Sequence, residues 1–188
     1  VAFFQVLILV PALTMRLFSE ERRTGTLEVL LTAPVTDWTL VAGKFLACWI
    51  YYLLNWVPAY FLLVAFRVAC GEFFDYRPLI SYSFAIAASG AAFVAFGMFC
   101  SSLTRNQIIA AVITFVGLFT MWLLHLLSQI FPAASSGIAP ALSKFDFFQV
   151  WSLALQGQLT VPAIFFQASL AGLWLFLTVK VLEARKWS

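Results

Sequence analysis

The chain has 188 residues, of which 63% are hydrophobic and only 10% charged, whereas an ordinary soluble domain carries roughly 25% charged residues. Too little polar material remains to cover a water-facing surface, which excludes a soluble globular domain. A net charge of +3 is too small to imply a nucleic-acid partner. Cys48, Cys70 and Cys100 are odd in number and two lie within apolar runs, so no disulfide framework is implied.

A spanning helix needs about 20 mostly apolar residues, and the charge-free runs 45–66, 78–104, 106–143 and 147–179 all reach that length. In chain order, residues 1–17 are expected to be a partial span. They open inside an apolar run with no basic leader, so they read as the tail of a truncated helix rather than a signal peptide. Residues 18–40 form the longest charged stretch and are expected to lie in the cytoplasm. A complete span follows over 41–66, then a loop holding Glu72, Asp75 and Arg77, then a second span over 79–103. The short turn Thr104-Arg105-Asn106-Gln107 forces its flanking helices to be antiparallel neighbours.

The third complete span covers 108–131 and stops before Pro132. Residues 145–160 are apolar but interrupted by Asp146, Gln149, Gln156 and Gln158, which predicts an interfacial or re-entrant segment with Trp151 near the headgroups. A final span covers 161–182. The fold expected is an all-α, polytopic transmembrane bundle forming a single domain over 1–188, with about four complete spans, a partial N-terminal span and a cytoplasmic amphipathic helix.

Charge placement orients the bundle. If helices alternate and the first runs inward, Arg16, Arg22, Arg23, Lys44, Arg105, Lys180, Arg185 and Lys186 face the cytoplasm, and Arg67, Arg77 and Lys144 face outward. That excess satisfies the positive-inside rule and places the C-terminus in the cytoplasm, in a multi-pass protein of the inner (plasma) membrane.

Several residues are candidates for specific roles. Ala87, Ala91 and Ala95 recur at four-residue spacing, which lets helix backbones approach. They fit packing within the chain, with a dimer seam or moving gate as the alternative. Asn55 and Pro58 fit a packed kink, or a contact with substrate, since proline frees a carbonyl and asparagine bonds across helices. His125, the one histidine, lacks the paired ligands of a zinc site. It fits a hydrogen-bonded packing role or a place on the pathway. Between Arg16 and Lys44, Leu27, Leu30 and Leu31 share a helical face. Pro34 should end that helix, and Thr36 or Asp37 can cap the next. Such a helix is either an interfacial anchor or a docking element, with Glu20, Glu21, Arg22 and Arg23 available for ion pairs and Gly25 permitting close approach.

The pattern Glu21, Arg22, Gly25, Thr26, Leu27, Glu28, Leu30, Leu31, Pro34, Val35, Gly43 and Lys44 resembles the signature of type-2 ABC transporter permeases, in particular the gliding-motility and copper-enzyme-maturation group. Ser101 to Gln107 resemble that family's inner turn and Leu182 to Trp187 its C-terminal end. The resemblance implies a six-helix membrane subunit that pairs with a second permease subunit, as a homo- or heterodimer, and binds ABC ATPase subunits. By it, the segment from Glu20 to Leu31 is the coupling element of an exporter, and this chain lacks the first helix and most of the second. No phosphate-binding loop is present, since Phe45 follows Gly43-Lys44 and Trp38 stands where its first glycine belongs. The chain is therefore expected to hold no cofactor and not to be an enzyme, with ATP bound on the partner subunit. Rival readings are a non-transporting membrane anchor or assembly scaffold, and an intramembrane hydrolase built on Ser136 or His125.

Overall fold

The computed structural model describes residues 2–26, 36–70, 76–130, 146–158 and 160–186. Among them it contains helices and no strand. Five stretches are long and apolar enough to cross a membrane: Phe3–Thr24, Asp37–Ala69, Tyr76–Leu103, Gln107–Leu127 and Val161–Ala184. The chain is thus an all-α, multi-pass membrane protein.

Helix α1 (Ala2–Thr14) is apolar apart from Gln5 and Thr14 and buries Phe3, Val6, Leu7 and Val10. After a turn, α2 (Ser19–Thr24) carries the charges of Ser-Glu-Glu-Arg-Arg-Thr and ends on Gly25, whose φ of 75° places it in the left-handed region that only glycine enters without cost. Helix α3 (Asp37–Leu54) is capped by Thr36, whose hydroxyl accepts the Thr39 N–H at 3.3 Å. It hands over to α4 (Val57–Cys70) through a two-residue turn at Asn55 and Trp56.

The expected span over 41–66 falls within the single membrane-length stretch Asp37–Ala69, which is interrupted by this turn. Pro58 has no N–H to give the Leu54 carbonyl and its ring crowds that carbonyl; the Trp56 N–H turns back to Leu53 at 3.0 Å instead.

Helix α5 (Tyr76–Leu103) is the centre of the bundle, far more of its apolar stretch being buried than of the α3–α4 stretch. It packs most extensively on α8 and also touches α1, α3, α6 and α7. Its composition explains this, because Ser81, Ala85, Ser89, Gly90, Ala92 and Gly97 are all buried and small enough for neighbouring backbones to come close. Gly90 lies under the ring of Tyr52 from α3, and Gly97 under the side chain of Thr14 from α1.

A tight turn leads into α6 (Gln107–Ile130). Asn106 closes it by accepting the Ile108 N–H on its side chain at 2.9 Å while its carbonyl accepts the Thr104 hydroxyl at 2.9 Å. Most of α6 is exposed and apolar, a surface suited to lipid.

Helix α7 (Phe147–Leu155) runs antiparallel to α5. Phe147 packs on Phe93 with the rings tilted and their centroids 4.7 Å apart, the Trp151 indole donates to the Ser89 hydroxyl at 3.0 Å, and Gly157 lies beside Arg77 and Pro78. At 1.5 Å per residue, Ser89 sits about 20 Å from either end of α5, so α7 begins near mid-bilayer and climbs to the Tyr76 end. It stops in a Schellman motif, with Gln158 N–H on Leu153 and Gly157 N–H on Ala154, both at 3.0 Å, and Gly157 at φ 77°. Trp151 thus lies inside the bundle rather than at the headgroups. Helix α8 (Val161–Lys186) returns along α5, its Trp174 ring packing on Phe96 and Phe99.

Candidate coupling site

Where α1 gives way to α2, the chain turns through Met15 to Phe18 and leaves backbone groups that no helix satisfies. Side chains from two other helices satisfy them. Ser101, fully buried near the end of α5, accepts the N–H groups of Phe18 and Ser19, each at 3.2 Å, and donates its own hydroxyl to the Met15 carbonyl at 3.2 Å. This hydroxyl acts as an N-cap supplied from more than eighty residues away.

Lys44 from α3 completes the joint. Its ammonium donates to the Leu17 carbonyl at 2.6 Å, pairs with the Glu21 carboxylate, and lies 4.5 Å from the centre of the Phe18 ring. Arg22 donates to the Ser102 carbonyl at 3.3 Å. Phe18 itself is fully buried in a small apolar cluster with Val41, Met98, Val179 and Leu182, so the elbow is packed as well as hydrogen-bonded. If Ser101 caps the elbow, Ser101→Ala should cost about 1 kcal/mol, while Ser101→Thr, which keeps the hydroxyl, should cost less. Chemical unfolding in detergent micelles checks that order.

The expected coupling residues therefore divide. Glu21 and Arg22 are engaged with α3 and α5, Glu20 is half-buried, and Arg23, Gly25 and Thr26 are exposed. Thr24 bonds back to the carbonyls of Glu20 and Glu21. Leu27, Glu28, Leu30 and Leu31 lie outside the described residues, as does Pro34.

The other singled-out residues lie elsewhere. Asn55 caps the end of α3, its amide nitrogen buried with no hydrogen-bond partner among the described residues. Ala87 lines a cavity of about 290 Å³ between the α3–α4 junction and α5, and its carbonyl accepts the Trp49 indole N–H at 3.0 Å. Ala91 is half-buried against the main core and Ala95 is fully buried. His125 bonds to Asp146 through Nδ1 at 2.7 Å. Sequence reasoning did not single out Ser101 for its bonds, nor Thr14, Gly90 or Gly97. The one advance signal for Asp146 was a lone carboxylate interrupting an apolar run.

Elbow and spans together are those of a polytopic membrane protein whose charged segment α2 is braced against its own helices. Residues 1–179 match the family described as ABC-2 family transporter protein, and the chain belongs to that family of type-2 ABC transporter permeases. No curated protein and no solved structure matches it.

Proposed function

We propose that this chain is the permease subunit of an ATP-driven exporter, that it pairs with a second permease subunit, and that a separate ATPase subunit docks on the segment from Glu20 to Leu31. The observation that carries this reading is the braced elbow. A helix of six residues has no stability of its own, yet α2 is fixed to α3 and α5 by Ser101, Lys44 and Arg22 while Arg23, Gly25 and Thr26 stay exposed. A push on the exposed part therefore reaches two spans at once. The basic residues grouped at this end support its placement on the cytoplasmic side of the inner membrane, together with the C-terminus. The pattern from Glu21 to Lys44 supports assignment to the gliding-motility and copper-enzyme-maturation group. Export is the direction we assign, and ATP chemistry belongs to the partner.

Co-purification tests the proposal. The full-length protein, expressed with an ABC ATPase subunit from the same source, should retain that ATPase, and Arg23→Glu combined with Glu28→Lys should reduce retention by roughly tenfold or more, as for a charge-complementary contact. Retention unchanged by the double substitution would remove the docking assignment. An ATPase that never associates would leave the anchor reading in its place.

A further inference from the structure

The short helix α7 presents two unlike faces at membrane depth. Phe147, Val150, Trp151 and Ala154 are buried against the bundle. Gln149, Ser152 and Gln156 are exposed, and at 100° per residue they fall within an arc of about 60° directly opposite the buried face. Gln149 stands between Phe147, at the level of Phe93, and Trp151, at the level of Ser89, which is near the middle of the bilayer. A carboxamide facing hydrocarbon at the depth of Gln149 is costly, and polar side chains at that depth face protein or a water-filled cavity; Gln156, next to Gly157 beside Arg77 and Pro78, stands near the Tyr76 end of α5.

A second feature fixes how this helix sits. Asp146 caps α7 with one carboxylate oxygen, which accepts the N–H groups of Phe148 at 3.0 Å and Gln149 at 3.2 Å. The other oxygen bonds His125 on α6 at 2.7 Å, with only 19% and 16% of the two side chains exposed. The His125 ring also stacks on Phe148, 4.5 Å away, and Phe148 packs on Phe3 of α1 at 4.7 Å. One carboxylate thus ties the start of α7 to α6.

We infer that Gln149, Ser152 and Gln156 line a water-filled passage through the half of the membrane away from α2, and that the His125–Asp146 pair is the latch that keeps α7 seated as its wall. This goes beyond the ATPase-docking reading and does not depend on it. A passage walled by two carboxamides and a hydroxyl offers hydrogen bonds without charge, so it suits a cargo with polar, hydrogen-bonding groups.

Cysteine accessibility in the full-length protein in native membrane vesicles tests both parts, with a charged methanethiosulfonate as probe and peptide mass spectrometry as readout. Only a hydrated thiol forms the reactive thiolate, so Gln149→Cys and Ser152→Cys should react roughly tenfold faster or more than Val116→Cys on the exposed face of α6. Equal rates would overturn the passage. For the latch, Ala154→Cys on the buried face should be slow in the otherwise natural protein and about tenfold faster with His125→Phe, which keeps the ring stack but loses the donor. With His125→Asn, which restores a donor, it should be slow again. No acceleration with His125→Phe would overturn the latch. So would acceleration that also opens the buried native Cys48 and Cys100, because the pair would then be holding the whole bundle rather than α7.

Discussion

Gly90→Ala is expected to destabilise the bundle by about 3 kcal/mol or more, at the top of the range for overpacked cores. A Cβ at this position would stand 2.1 Å from Cε1 of Tyr52 and 2.7 Å from both Cδ1 and Cζ, well inside contact distance. The ring is hindered from moving, since Tyr52 is fully buried and packs edge-on against Trp56. Relief therefore requires α3 and α5 to separate, which also strains the bond from Trp49 to the Ala87 carbonyl. For a chain of this size the loss corresponds to a fall of about 6–12 °C in apparent melting temperature, measurable in detergent micelles.

Two controls make the result specific. A methyl group added at Gly43 or Gly172 would meet nothing within 4 Å, so alanine there should be neutral, or stabilising by up to about 1 kcal/mol through helix propensity. Tyr52→Leu added to Gly90→Ala removes the clashing ring atoms and should recover part of the loss, a non-additivity expected of residues in contact. A melting temperature for Gly90→Ala within about 2 °C of the parent would show that the two helices do not meet as tightly as the structure has them.

How much of this could be read in advance depended on the range of the interaction. Spans were legible because each is a local property: about 20 residues without charge. The α5–α6 reversal was legible for the same reason, as four polar residues between two apolar runs leave little room for anything else. The division between α3 and α4 was half legible. Pro58 marked a kink, but whether a proline bends a helix or ends it depends on how neighbours resatisfy the freed carbonyl.

The candidate site was less legible. Glu21 and Lys44 stood out as part of a pattern, but nothing local says that they meet each other. Ser101 looks like any small residue near a helix end, and its role exists only because the fold brings Phe18 and Ser19 to it across the sequence. The same holds for Gly90 and Gly97, whose identity matters only because of what lies opposite. His125 and Asp146 are each locally anomalous as ionisable groups in apolar surroundings, and their pairing could have been guessed as the cheapest way to hold both.

Lys44→Met should be the most damaging single change at the elbow, because the ammonium serves three groups at once. Removing it leaves the Leu17 carbonyl without a donor, the Glu21 carboxylate without a counter-charge and the Phe18 ring without its cation. An orphaned acceptor costs about 1–3 kcal/mol when fully buried, and the Leu17 carbonyl, being part-buried, falls at the low end. The ion pair adds less than a fully buried one would, since the two side chains keep 20% and 29% of their exposure and water screens what remains. Glu21→Gln should be milder, for it leaves the bonds of Lys44 to Leu17 and Phe18 intact. The double variant should cost less than the sum of the two, since its second change removes the charge that the first had stranded. Trypsin reads the effect locally. Arg22 and Arg23 are cleavable only when α2 leaves its seat, and an opening favoured by 1–3 kcal/mol raises cleavage roughly 5- to 150-fold when closing is fast. Lys180→Met is the control, because its pair with Glu183 is exposed and joins residues of one helix, a contact worth less than about 1 kcal/mol. Cleavage at Arg23 that responds equally to Lys44→Met and Lys180→Met would mean that the elbow is not held by Lys44.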